Sequence, residues 1–102
     1  AYDEEFGMTV SSPAMINNLT MYMDSAQGSG DICQIEIQKA NNCLSSSSPS
    51  TILVASLTNT NQTASNISSV GTISSGECIR IFFNEAAGTC SGAVQWSFII
   101  EI

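Results

Sequence analysis

Apolar side chains in this chain recur at every second position, and no stretch sustains a helical period. An amphipathic helix needs apolar residues three and four apart, whereas a half-buried strand needs strict alternation. Phe6, Met8 and Val10 alternate with Gly7 and Thr9, and Pro13 then breaks the pattern. Leu19, Met21 and Met23 alternate with Thr20 and Tyr22. Cys33, Ile35 and Ile37 alternate with Gln34, Glu36 and Gln38, the cleanest inside/outside pattern in the chain. Leu53, Ala55 and Leu57 follow with Val54, Ser56 and Thr58 between them. Ile67, Val70 and Ile73 mark a looser strand. Ile79, Ile81 and Phe83 oppose Cys78, Arg80 and Phe82. Val94, Trp96, Phe98, Ile100 and Ile102 close the series.

Turn-forming residues separate these runs. Residues 24–31 form a Gly-bearing loop, a Ser/Thr/Asn-rich connection runs from Asn59 to Asn66, and Ser75-Gly76 makes a turn. Short strands at regular spacing predict an all-β fold, a two-sheet antiparallel β-sandwich of jelly-roll type with seven to eight strands. The chain is 102 residues long and shows no linker or repeat. It reads as an acidic N-terminal arm over residues 1–5 and one sandwich domain over 6–102. Trp96 reads as a core anchor.

Four cysteines, Cys33, Cys43, Cys78 and Cys90, form no C-x-x-C, and the chain has no histidine to complete a mixed zinc site. Two disulfides in an oxidising compartment are the favoured reading, with buried free thiols as the other. If successive strands run antiparallel, Cys33 and Cys43 lie at opposite ends of the domain, as do Cys78 and Cys90. A six-residue strand spans roughly 20 Å, while bridged α-carbons lie within about 7 Å. Strand direction therefore selects Cys33–Cys90 and Cys43–Cys78.

The charge balance removes several function classes. Nine acidic residues against Lys39 and Arg80 give a net charge of −7. Nucleic acid and anionic membrane surfaces both need clustered cations. Without histidine there is no Ser-His-Asp or Cys-His machinery, so no enzyme is expected. No apolar run approaches the ~20 residues of a membrane span, so membrane insertion is not expected either. Charged residues are 11% of the chain, against a norm of about 25%. Ser, Thr and Asn supply 33 residues, so the polar surface is built from hydroxyls and amides. That suits a turn-rich β domain, and it also suits a surface that works outside a cell or packs against neighbours. The first residue is Ala1 rather than Met, which suggests processing or excision from a longer protein.

A few constellations carry candidate roles. Asp3-Glu4-Glu5 is either a solvated end, a cation site or an arm that docks on a neighbour. Asp24 and Asp31 flank a Gly-bearing loop, but two carboxylates without EF-hand spacing name no calcium site, and no metal or cofactor is expected. Glu77 and Glu85 are the one carboxylate pair that glycoside hydrolysis would suggest, and a chain this short has little room for a cleft around them. Asn18, Asn61 and Asn66 head N-x-S/T sequons. Asn61 and Asn66 lie in or beside a predicted loop, whereas Asn18 begins a strand. Tyr22, Phe82 and Ile99 fall opposite the predicted core. They mark either a subunit interface or a sheet whose faces are reversed. Phe6, Met8 and Val10 form a strand able to pair with its own sheet or with a neighbouring subunit.

Ile16-Asn17-Asn18-Leu19-Thr20, the Gly loop, Ser75-Gly76-Glu77-Cys78-Ile79-Arg80-Ile81 and Gln95-Trp96-Ser97-Phe98-Ile99-Ile100-Glu101 together resemble small bacterial jelly-roll modules. Such modules occur in spore-surface proteins, exosporium-like fibres and phage tail or decoration proteins. The nearest comparison is the spore-appendage subunits, and the resemblance implies polymerisation through an N-terminal arm. Appendage arms carry linking cysteines, and this chain has none before Cys33. Strand exchange without covalent linkage is therefore the mode the resemblance leaves. The expectation is an extracellular structural subunit, at a cell, spore or virion surface, that assembles with copies of itself into a filament, coat or fibre. The alternative is a carbohydrate-binding or adhesive module with a glycan as its partner.

Overall fold

The computed structural model describes residues 5–44, 49–58 and 60–102, with residues 5 and 6 described by their backbone. Eight strands run in chain order: β1 (Glu5–Thr9), β2 (Ala14–Met23), β3 (Ile32–Ala40), β4 (Ser50–Thr58), β5 (Thr63–Asn66), β6 (Gly71–Ile73), β7 (Cys78–Ala87) and β8 (Val94–Glu101). The described residues contain no helix. The strands form two antiparallel sheets. The first has the order β1-β7-β3-β4, and the second is built on β2. There β5 pairs with Leu19–Tyr22 and β6 with Ala14–Ile16. β8 pairs with both stretches of β2 as well, so it occupies the opposite edge of that strand.

Both sheets turn apolar faces into one core. Cys33, Ile35, Ile37, Leu53, Ala55, Leu57, Ile79, Ile81 and Phe83 come from the first sheet. Ile16, Leu19, Met21, Met23 and Ile73 come from the second. Burial of this kind stabilises by about 25 cal/mol per Å² of apolar surface removed from water. The alternation of Cys33-Ile35-Ile37 and of Leu53-Ala55-Leu57 is the inward face of paired strands, as the sequence pattern predicts.

Two strand expectations are corrected. Ile67 and Val70 lie outside any strand and are exposed; of that looser strand, Ile73 stays, in β6. Conversely, the Ser/Thr/Asn-rich connection contains β5, whose small polar residues carry no alternating apolar signal but pair along the edge of β2. The second sheet also departs from simple alternation at Asn18. The spacing from Ile16 to Leu19 is three rather than two, yet both are fully buried. A register shift against β8 between Asn17 and Thr20 absorbs the extra residue, and Asn18 sits there at φ 55°. Asn tolerates the left-handed region better than most side chains, which suits it to such a bulge.

The structure joins Cys33 to Cys90 and Cys43 to Cys78, with α-carbons 6.1 and 5.2 Å apart. β3 and β7 are antiparallel neighbours with Ala40 opposite Cys78 and Cys33 opposite Glu85, so each bridge closes one end of that pair. Two disulfides indicate an oxidising, non-cytoplasmic environment. No helix among the described residues is long and apolar enough to cross a membrane.

Candidate functional site

β1 lies on the outer edge of the first sheet. It pairs with β7, from Glu5 opposite Phe82 to Thr9 opposite Cys78, and among the described residues with no other strand. Its parity follows β7. Met8 is opposite Ile79 and Val10 joins the core, while Gly7 and Thr9 take the outer side opposite Arg80 and Cys78. Met8 remains 41% exposed although it shares a face with the core, so β1 is only partly covered. The side chain of Phe6 and the whole of Asp3 and Glu4 lie outside the described residues.

The chain leaves β1 through a short crossing to the second sheet. Val10 N–H donates to the Glu77 carbonyl at 3.2 Å, and the Val10 carbonyl accepts from Gly76 N–H at 2.8 Å. Ser75 Oγ donates to the Ser11 carbonyl at 2.9 Å, and Pro13 precedes β2. Gly76, at φ 89°, makes the turn before β7, and Glu77 Oε1 accepts from Ser74 N–H at 2.6 Å across it. A shallow pocket of about 330 Å³ beside Pro13 is lined also by Met15, Ile73, Glu101 and Ile102. Its one charged lining side chain, Glu101, accepts from Asn17 Nδ2 at 2.8 Å.

The outer side of β1 meets the Cys43–Cys78 bridge. The Thr9 hydroxyl is 3.7 Å from Cys43 Sγ, and both sulfurs face the α-carbon of Gly7. Arg80 is 7% exposed because the segment carrying Cys43 and Leu44 lies over it; Arg80 Nη2 donates to the Leu44 carbonyl at 2.6 Å. Alternation puts Arg80 on the outer face, and the bridged segment then covers that face.

The remaining candidates are scattered. Tyr22 and Ile99, about 45% exposed, lie on the outer face of the second sheet with Met15, Thr20 and Ser97. That sheet's faces are therefore not reversed. Phe82 is half-buried on the outer face of the first sheet, opposite Glu36. Trp96 is part-buried against the core and stacks on Phe98 with centroids 5.9 Å apart. Glu77 and Glu85 stand at opposite ends of β7, roughly 27 Å apart at a rise of about 3.4 Å per residue, so the fold does not pair them. Lys39 Nζ approaches Glu77 at 3.9 Å, and Glu85 Oε2 accepts from Cys90 N–H at 2.7 Å. Asp24 Oδ1 accepts from Ala93 N–H, and Asp31 Oδ2 from Gly28 N–H. Both carboxylates thus serve loop backbone. Among the described residues no three His, Cys, Asp or Glu side chains gather as a metal set.

The sequons separate by environment. Asn61 is exposed in the turn after β4, where its N–H donates to the Thr58 carbonyl. Asn66 ends β5 with its amide engaged: Nδ2 donates to the Val54 carbonyl at 2.9 Å, and Oδ1 accepts from Ser69 N–H. Asn18 does not begin a strand; it is exposed at the bulge inside β2. Two residues that matter to this arrangement escape a reading by residue type: Gly7 and Arg80. The one signal for Gly7 is a glycine at the centre of an alternating run. Comparison with family models, with curated proteins and with solved structures finds no match to this chain.

Proposed function

We propose that this chain is an extracellular structural subunit that assembles with copies of itself by exchanging β1. The observation that carries the reading is the placement of β1. It is an edge strand with one neighbour among the described residues, a Met8 that stays 41% exposed and a short Pro-containing crossing to β2. Elements held by few buried contacts open at the low end of a protein's stability range. An edge strand also exposes unpaired backbone that another chain can use. An identical strand from a second copy would restore the same hydrogen bonds, so exchange costs little beyond association.

The surface chemistry supports the same reading. The outer face of the second sheet presents Met15, Tyr22 and Ile99 among hydroxyls and amides, with Glu101 as its charge. Few charges would then be desolvated when copies pack. The accompanying fold reading is a sandwich wound as a jelly roll. Its support is the shared core and the chain path: every connection except β3–β4 and β5–β6 passes between the sheets. Tyr22 is the only exposed ring among the described aromatics, which offers little platform for a sugar.

Light scattering across a concentration series, followed by electron microscopy, tests the proposal. Assembly that grows with concentration and is lost in Met8→Glu supports it. A chain that stays monomeric at high concentration refutes it.

A further inference from the structure

We infer that the Cys43–Cys78 bridge is a selectivity seat. It admits onto β7 a strand carrying glycine or alanine at the position of Gly7, and it rejects larger residues and shifted registers. For strands supplied by a second copy, this inference rests on the exchange reading above.

Glycine in a strand interior weakens the strand and marks either unusual backbone or a close approach. Gly7 is not among the glycines with positive φ, so conformation does not account for it. Space does. A β-carbon on Gly7 would stand 3.4 Å from Cys43 Sγ and 3.4 Å from Cys78 Sγ, with Cys43 Cβ at 3.9 Å. One carbon therefore fits in contact with both sulfurs, and a branch beyond it meets them. The sulfurs cannot swing aside as a flexible side chain would. One is anchored in β7, and the other belongs to the segment that Arg80 holds through the Leu44 carbonyl.

The seat also fixes register. A strand slipped by two residues keeps the same faces in and out, so apolar patterning alone does not forbid it. Slipping β1 by two places Glu5 or Thr9 where Gly7 belongs, against the bridge. A strand presented by another copy of this chain satisfies the seat in one register only. The partner defined by this chemistry is thus an extended segment with a small residue at its centre and apolar residues on either side, as in Phe6-Gly7-Met8.

The experiment uses the full chain as wild type, Gly7→Ala, Gly7→Val, Cys43→Ala with Cys78→Ala, and Gly7→Val combined with Cys43→Ala and Cys78→Ala, with bridges checked by intact mass. Two readouts are taken on each: assembly by light scattering, and hydrogen exchange at the backbone amides of β1 and β7 in dilute monomer. Gly7→Ala should behave as wild type. Gly7→Val should lower β1 protection and assembly about tenfold, the scale of an overpacked contact. Removing the bridge should restore both toward the level of the bridge-free chain with Gly7. Wild-type protection in Gly7→Val with its bridge intact overturns the seat, and so does a Gly7→Val loss that is as large between the two bridge-free chains as between the two bridged ones. A wild-type chain that never assembles but shows the expected exchange pattern overturns the proposed function and leaves the seat standing.

Discussion

Gln27 reaches from the loop after β2 to Ser91 in the loop before β8, donating to the Ser91 carbonyl and accepting from its N–H, each at 2.8 Å. Its Nε2 also donates to the Ser25 carbonyl at 2.8 Å, and the residue is 4% exposed. Beside it the Asp24 backbone and carboxylate both bond Ala93. These contacts close the end of the domain that Cys33–Cys90 ties covalently. Replacing Gln27 with Ala leaves Ser91 N–H and two carbonyls without their partner. The expected loss is about 1–3 kcal/mol, read by urea denaturation with the bridges intact.

The bridges themselves should contribute unequally to stability and to β1. Cys33–Cys90 closes 57 residues and Cys43–Cys78 closes 35. By the chain-entropy account each is worth roughly 2–4 kcal/mol, with the longer loop slightly favoured. Replacing both cysteines of either pair with Ala should lower the denaturation midpoint by that scale. Only loss of Cys43–Cys78 should also loosen β1, detected as faster exchange at its amides.

Arg80 gives a separate prediction. Its guanidinium holds the Leu44 carbonyl beneath the covering segment. Arg80→Ala should cost about 1–3 kcal/mol and speed exchange in residues 41–44. Arg80→Lys should recover part of this, because an ammonium can donate to the same carbonyl but lacks the planar fork.

Glycan attachment should discriminate among the three sequons. Asn66 Nδ2 is committed to the Val54 carbonyl, whereas Asn61 and Asn18 are exposed. In a secretory host that glycosylates, folded material should carry sugar at Asn61 and none at Asn66, as read by glycopeptide mass spectrometry. Occupancy at Asn66 in folded protein would contradict the geometry.

How far the sequence revealed this arrangement depends on what each residue signals. Ile35, Ile37, Leu53 and Leu57 are legible because large side chains at every second position have one buried face to occupy. β5 is illegible because Thr63, Ala64, Ser65 and Asn66 hold their place through backbone pairing with β2. Ile67 and Val70 mislead in the opposite sense, being apolar, outside any strand and exposed. The bulge at Asn18 was encoded in the three-residue step from Ile16 to Leu19, which a strict period of two overlooks. The disulfide pairs were accessible through strand direction, because β5 and β6 both run antiparallel to β2 and so count as a single step in the alternation. The seat under β1 was not, since it joins Gly7 to a bridge whose members are 35 residues apart.

The most direct test of the central claim is cryo-electron microscopy of the concentrated chain, tracing whose residues 5–9 lie against Phe82–Cys78 in each subunit. Exchange predicts that they come from a neighbouring copy, in the register that places Gly7 opposite Arg80. Assemblies in which every copy retains its own β1, or a chain that forms no assembly at all, would contradict it.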